Sequence, residues 1–386
     1  MRNPLRGMEI TERCTSNMRN VLTEYGYSNE IISEKIAAAW RHIFVDKSTK
    51  FYHDMGDTAY ICDTGNVDAR SEGMSYGMMM AVQMDRQDIF DKIWLWAMTH
   101  MYHKPGSGEF EGYFAWSCRP DGVRNYQGPA PDGEEYFALA LYFAAARWGE
   151  GAAPFDYGKQ ASEIIRAMIH KGETPDSGDP MFNAENKLIL FVPGSPFSDP
   201  SYHLPHFYEE IAKHCYPEDR DFMLAAAQAS RDFIKAACHP DTGLAPDYAD
   251  FNAKPSHPEW RPIAQAHYSD SYRVALNIAL DALWTGTDEW EQNAARLQAF
   301  FLSRPDAMTD TVVYVDGSPF PEEIMHPLGL LSTAAAASAA RKHNPDSAEL
   351  IKRFMAAPLR VDKRRYYDNC LYFFSLLALA GEYVVF

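Results

Sequence analysis

Apolar residues recur at helical spacing in about a dozen segments of the chain, each bounded by Gly, Pro, Asp or Ser. The segments begin near Asn29, Ser71, Gln87, Asp132, Asp156, Leu204, Glu218, Asp270, Asp288, His326, Pro345 and Tyr366. Ile31-Ile32-Ser33-Glu34-Lys35-Ile36-Ala37-Ala38-Ala39-Trp40 is typical, and residues 371–380 are the most apolar. Strand-like runs are few: Leu188-Ile189-Leu190-Phe191-Val192 and Thr311-Val312-Val313-Tyr314-Val315, both short and set in loops. The pattern predicts an all-α protein. No composition shift, Ser/Gly linker or low-complexity tract divides the chain, so a single domain over residues 1–386 is expected. Twelve helices without a linker predict six helical hairpins closed into an (α/α)6 barrel, or toroid, with inner helices forming the core and loops at one end forming a cleft. A helical solenoid would show sequence self-similarity, and none is present.

Composition narrows the classes of partner. Acidic residues number 53 against 36 basic ones, a formal charge of -17, which repels phosphates and offers no basic stripe for nucleic acid. A neutral ligand suits this charge better than a polyanion. Aromatic residues make up 13% of the chain, enough to line a ligand groove as well as the core. The opening stretch Met1-Arg2-Asn3-Pro4-Leu5-Arg6-Gly7-Met8-Glu9 has no apolar h-region, and no later run reaches about 18 uninterrupted apolar residues, so a cytoplasmic location without a membrane partner is expected. Cys14, Cys62, Cys118, Cys215, Cys238 and Cys370 are scattered without a C-x-x-C pair and predict buried free thiols. His203 and His206 lack a third ligand, so no metal is expected. Gly106-Ser107-Gly108 lacks the flanking strand and helix of a dinucleotide loop, and no cofactor is expected.

Two long loops, residues 102–131 and 245–265, are rich in Gly, Pro, Trp and Tyr. Loops of that length in a compact domain are usually functional or disordered, and the aromatic content argues against disorder. Three carboxylates sit where a loop gives way to a helix: Glu72, Asp132 and Asp270. Each alone fits a structural role, because Asp is a preferred N-cap and acids favour the first helical turn. Their setting adds a second reading. Gly73 and Gly77 fall on the helix that Glu72 opens, where each costs about 1 kcal/mol against alanine. A substrate approaching the backbone would account for them, and so would a closely packed helix. In a ring of inner helices, the three carboxylates would crowd the mouth of one cleft. Glycosidic hydrolysis needs one protonated carboxyl to assist the leaving oxygen and one ionised carboxylate to activate water or attack the sugar. An apolar setting such as Met74, Tyr76 and Met78 would raise the acid's pKa.

The motif strings carry a family resemblance. Ala69-Arg70-Ser71-Glu72-Gly73-Met74-Ser75-Tyr76-Gly77-Met78-Met79 resembles the catalytic-acid segment of glycoside hydrolase family 8, and Ala130-Pro131-Asp132-Gly133-Glu134 resembles its second acidic motif. The similarity runs on through Tyr268-Ser269-Asp270-Ser271-Tyr272-Arg273 to Arg365-Tyr366-Tyr367-Asp368, nearly the whole chain. It implies an (α/α)6 barrel and an inverting mechanism, with Glu72 as general acid and Asp270 as general base. It further implies that Asp132 holds the distorted sugar at the cleavage point and that Arg273 orients Asp270. Pro131 and Glu134 stand where the broader family shows Ser or Thr and a second Asp, a departure from the endo-acting cellulases. The resemblance is strongest to the exo-acting members that release xylose from the reducing end. In those a kinked loop closes the groove one sugar beyond the cleavage point, and Met325-His326-Pro327 resembles that block. The same residues also fit a turn that starts a helix with Pro near N1. The implied partners are small xylo-oligosaccharides, and no protein partner is indicated.

Sugar rings stack on aromatic faces, which makes Trp116, Tyr202 and Tyr367 candidate subsite walls; Arg273 and His326 complete the candidate substrate-binding set. Each of these aromatics equally suits the core. Two other readings compete. One is endo-cleavage of xylan or another β-1,4-glucan by the same carboxylates. The other is a sugar epimerase or isomerase on the same toroid, with His203, His206 or His267 abstracting the proton. A binding protein without chemistry is disfavoured by the set of acids.

Overall fold

The computed structural model describes residues 18–174 and 177–386; Met1 to Glu9 and Cys14 lie outside the described residues. Among the described residues twelve helices have ten or more residues: α1 (Asn29–Phe44), α2 (Ser71–Gln83), α3 (Gln87–His100), α4 (Pro131–Trp148), α5 (Tyr157–His170), α6 (Pro205–His214), α7 (Arg220–Ala237), α8 (Tyr272–Thr285), α9 (Glu291–Ser303), α10 (Pro327–Ala336), α11 (Pro345–Ala356) and α12 (Arg365–Ala380). Each starts within three residues of a position predicted from apolar spacing. One-turn helices at Val21–Glu24 and Asp306–Thr309 join them.

Even- and odd-numbered helices are built differently. In α12 every residue from Tyr366 to Ala380 is buried, and in α2 only Glu72 is not. By contrast, α5 buries a stripe at helical spacing that includes Ala161, Ile164, Ile165 and Met168. A helix that is apolar on all sides must be enclosed, whereas an amphipathic one covers it from outside. The even helices therefore form an inner ring in which α2, α4, α6, α8, α10 and α12 pack in sequence. The ring closes between α12 and α2, where Phe374 meets Tyr76 edge-on at 5.1 Å between centroids. The odd helices form the outer layer, with α3, α5 and α7 packed on α2, α4 and α6. This is the expected (α/α)6 barrel. The two layers are also stapled by charge: Arg231 of α7 grips Asp281 of α8 through Nε at 2.9 Å and Nη2 at 2.7 Å.

Close helix packing accounts for the helical glycines. A Cβ on Gly77 would lie 2.6 Å from Ile61 Cγ1, one on Gly73 would lie 2.6 Å from the Tyr366 hydroxyl, and one on Gly133 would lie 2.5 Å from Ser71 Oγ. Their absent side chains let neighbouring elements approach the inner-helix backbones.

The strands are short and pair antiparallel: β1 (Tyr52–Asp54) with β2 (Ala59–Ile61), β3 (Ala69–Arg70) with β4 (Ser117–Cys118), and β5 (Phe197–Ser198) with β6 (Ala249–Asp250). A three-stranded sheet has the order β7 (Ala266–His267), β8 (Thr311–Tyr314), β9 (Pro319–Glu323). The predicted strand at residue 311 is therefore present as β8. The predicted strand from Leu188 to Val192 is not: only Ile189 forms an isolated bridge, to Phe182. Leu188, Ile189 and Leu190 are buried in succession rather than alternately, and the chain turns at once through Phe191 N–H to the Phe197 carbonyl at 3.1 Å. Such an apolar run fills a core from a loop as well as from a strand. Cys62, Cys118, Cys215, Cys238 and Cys370 are free thiols. Among the described residues no helix is long and apolar enough to cross a membrane.

The Gly133 contact generates a test. Gly133→Ala gains about 1 kcal/mol of helix propensity, but its Cβ would also meet the Ser71 carbonyl carbon at 3.0 Å. Overpacking of that kind costs about 1–3 kcal/mol, so a lower urea midpoint with unchanged slope is expected. An equal or higher midpoint would show that Ser71 yields freely.

Candidate active site

Three short ladders fix the loops that lead into the inner helices at one end of the ring. In β3/β4, Arg70 pairs with Ser117, and Ser71 N–H then donates to the Trp116 carbonyl at 2.9 Å, which brings Trp116 beside the start of α2 and Glu72. In β5/β6, Ser198 pairs with Ala249, which sets Asp199 and Asp247 close together. In β7/β8, His267 pairs with Val313 and delivers Asp270 to the start of α8. The amino ends of the inner helices thus meet, and their positive dipole ends favour negative charge there.

Arg273, buried in the first turn of α8, is the hub. Its Nη1 donates to Asp132 Oδ2 at 2.7 Å and to the Tyr76 hydroxyl at 3.2 Å. Its Nη2 lies 3.5 Å from Asp270 Oδ1 and 3.8 Å from Asp199 Oδ2, and its guanidinium sits over the Tyr202 ring at 5.3 Å. Burial raises the pKa of Asp132, against the pull of Arg273.

Glu72 also lies within the field of Arg273. Burial pushes its carboxyl up to about 7, with Asp132 adding to the rise and Arg273 and Arg70 opposing it. The Tyr366 hydroxyl donates to Glu72 Oε1 at 2.9 Å. Glu72 therefore keeps its proton to higher pH than an exposed carboxyl does. Asp270 is held differently: Arg261 Nη2 donates to its Oδ2 at 3.0 Å and to Asp247 Oδ2, also at 3.0 Å. Burial and the Asp270 charge push Asp247 up to about 6, against Arg261.

The other predicted residues gather at the same rim. Tyr367 donates its hydroxyl to the Ser269 carbonyl at 2.8 Å and meets His326 edge-on at 5.0 Å. His326 Nδ1 is 3.0 Å from Asp368 Oδ2, which also accepts from Arg360 Nη1 at 2.5 Å. A carboxylate at Nδ1 favours the Nδ1–H tautomer and leaves Nε2 as an acceptor. Trp116 is already engaged: Tyr126 stacks on it at 5.0 Å and Arg70 lies over its ring at 5.4 Å. Tyr126, 57% exposed, is the ring of this pair that faces solvent.

Sequence reasoning missed Asp199, Asp247, Arg261, Tyr366, Asp368, Arg360 and Tyr126. Asp247, Arg261 and Tyr126 lie in the two long aromatic loops, and Tyr366 and Asp368 lie within the string at residues 365–368, so those segments marked the region without marking the residues. The three histidines that an isomerase would enlist are structural. His203 is enclosed between Ser198 and Ser230 hydroxyls, and burial pushes it down to about 3. His206 is buried with neither ring nitrogen hydrogen-bonded among the described residues, and burial pushes it to about 3. His267 is tied to the Ala245 carbonyl at 2.9 Å, and burial pushes it to about 4.

The chain matches the family model described as Glycosyl hydrolases family 8 over residues 32–380. The chain belongs to glycoside hydrolase family 8. Among the family's members, it is 49% identical to the reducing-end xylose-releasing exo-oligoxylanase Rex8A of Paenibacillus barcinonensis, covering 96% of this chain and 97% of the relative. It is 50% identical to a reducing end xylose-releasing exo-oligoxylanase of Halalkalibacterium halodurans, covering 96% and 95%. A solved structure of Rex8A from Paenibacillus barcinonensis complexed with xylose superposes with a TM-score of 0.91 at 49% identity, over 95% of this chain and 97% of that one.

Below the mouth, α4 of this family 8 chain carries two further acids, Glu134 and Glu135, both fully buried. Glu134 Oε1 accepts the Phe114 N–H at 2.9 Å, and Glu135 Oε1 accepts the Tyr208 hydroxyl. Burial raises both well above the usual carboxyl range. A carboxyl raised on folding stabilises fully below its unfolded value, and that stability is lost as pH climbs toward the folded value. Glu135→Gln keeps a neutral side chain at every pH. Its urea midpoint relative to the parent is therefore expected to rise between pH 5 and pH 9. A parallel decline of the two proteins would show that Glu135 does not resist ionisation.

Proposed function

We propose that the chain hydrolyses β-1,4-xylosidic bonds in xylo-oligosaccharides with inversion, releasing xylose from the reducing end. The observation that carries the reading is the unlike pair at the ring mouth: Glu72, raised to about 7 by burial, and Asp270, gripped by Arg261 and flanked by Arg273. Two carboxyls in environments that differ in this way divide into an acid and a base. The near half identity to reducing-end xylose-releasing exo-oligoxylanases over almost the whole chain supplies the substrate and the direction of attack. Each of the histidines open to an isomerase reading is buried, so no observation favours that chemistry.

In this reading Glu72 donates its proton to the glycosidic oxygen as the bond to the anomeric carbon breaks. Asp270 takes a proton from a water molecule, whose oxygen forms the new bond from the opposite face. The leaving sugar departs as free xylose and the new reducing end carries the inverted configuration. Asp132, fixed by Arg273, holds the ring hydroxyls at the cleavage point. Tyr202 and Tyr367 wall the groove, and Trp116 does so through Tyr126. His326, oriented by Asp368 at Nδ1, closes the reducing-end side with Nε2 available to a sugar hydroxyl. We read the chain as one catalytic domain, because a single hydrophobic cluster includes residues from Val21 to Tyr383.

Xylotriose followed by proton NMR tests this directly. Xylose and xylobiose are expected, with the first-formed anomer at the new reducing end being α; an initial β signal would overturn inversion. Internal cuts in polymeric xylan would overturn exo action. Glu72→Ala is expected to lose turnover. In the parent, kcat/KM is expected to fall as pH rises through about 7, because only the protonated acid donates. A flat profile from pH 6 to pH 9 would remove Glu72 from that role.

A further inference from the structure

The mechanism names Arg261 only as the cation on Asp270 and gives Asp247 no part. Asp247 and Arg261 both come from the long loop between α7 and α8. Asp247 is fully buried, and its Oδ1 accepts the backbone N–H of Tyr268 at 3.2 Å and of Ser271 at 3.0 Å. Those two amides bracket Ser269 and Asp270. An amide or hydroxyl side chain would accept the same bonds without burying a charge, so capping alone does not explain a carboxylate here. Its second oxygen explains the charge, because Oδ2 receives Arg261 Nη2, and that nitrogen also donates to Asp270 Oδ2. Arg261 is in turn seated over the Tyr248 ring at 5.4 Å.

We infer that Asp247 and Arg261 are positioning residues for Asp270: Asp247 fixes the backbone on both sides of it, and Arg261 fixes the direction of its carboxylate. The inference rests on the reading of Asp270 as general base. With Oδ2 committed to Arg261, Oδ1 is the oxygen left to take the proton from water, 3.5 Å from Arg273 Nη2. The charged groups that face Asp270 are Arg261 and Asp247 from the loop, Arg273 from α8, Asp132 from α4 and Asp199 from the segment before α6. Tyr202, Tyr248, Tyr272 and Tyr367 face it as neutral hydroxyls. Arg261 is thus one of only two cations in this group. Removing it favours protonation of the carboxylate it contacts.

The test measures kcat, KM and the pH profile of xylotriose cleavage in Arg261→Met and Arg261→Lys, with circular dichroism confirming the fold. In Arg261→Met, kcat is expected to fall on the order of tenfold to a hundredfold, the cost of a misplaced reacting group, while KM changes little. The acidic limb of kcat should move up by about one pH unit. Arg261→Lys keeps the charge and loses the planar guanidinium seated over Tyr248, which sets the direction of Nη2, so its limb should stay near the parent's while kcat still falls. A lower kcat with an unmoved limb in Arg261→Met would make Arg261 merely structural. If Arg261→Met does not fold, parental kcat in Arg261→Lys overturns the inference. Asp270→Asn separates the two readings. Turnover in Asp270→Asn would defeat the base assignment, whereas loss there with full activity in Arg261→Met would defeat only the positioning role.

Discussion

Bringing carboxylates together in a place with little water is expensive, because each ionised group loses its hydration and repels the others. At the mouth of this barrel Glu72, Asp132, Asp199, Asp247 and Asp270 share a small volume with Arg261 and Arg273. Arg273 reaches four of the inner-helix entrances at once, through Tyr76, Asp132, Tyr202 and Asp270. That buried cation offsets part of the cost of gathering Glu72, Asp132 and Asp199 there. The amino ends of the inner helices add positive potential from the same direction. Fold and chemistry therefore meet in one electrostatic requirement: a ring of parallel inner helices makes a site for anions, and the repulsion among the acids placed there is offset by Arg70, Arg261 and Arg273.

The division of labour between layers follows from side-chain chemistry. The outer helices are amphipathic and leave their polar faces to solvent, while the inner helices bury polar residues that must find partners inside. Gln298 illustrates an inward polar contact from the outer layer, donating to the Ala334 carbonyl at 3.0 Å and to Ser338 Oγ at 2.8 Å. Polar residues nearer the mouth find their partners in the arginine network, so the same inner helix is a structural rod at one end and a reactive surface at the other.

The helices were legible because a period near 3.6 and breakers at both ends persist over ten or more residues in every long element. Two-residue strands have no periodicity to detect, so β3/β4, β5/β6 and the β7 side of β7/β8, which aim the site loops, could be seen only in three dimensions. The apolar run at Leu188 misled for a related reason: burial of successive side chains does not distinguish a strand from a folded loop. Glu72, Asp132 and Asp270 were visible because they open helices within recognisable strings. Asp199, Asp247 and Arg261 sit in irregular segments; composition marked the loop that holds Asp247 and Arg261, but nothing singled out the residues themselves. Gly73 and Gly77 left two explanations open, and the Cβ positions decide for packing, against Tyr366 and Ile61.

The Tyr366 contact has a further consequence for the order of events in synthesis. Glu72 and Tyr366 are 294 residues apart, on the first and last inner helices, and their hydrogen bond lies on the seam where the ring shuts. Gly73 gives the tyrosine its place, so the same approach closes the barrel and completes the surroundings of the Glu72 carboxyl. A growing chain emerging from the ribosome carries Glu72 early but lacks its hydroxyl donor and part of its enclosure until α12 has arrived. The surroundings of Glu72 are thus the last to be assembled, and they arrive together with closure of the fold.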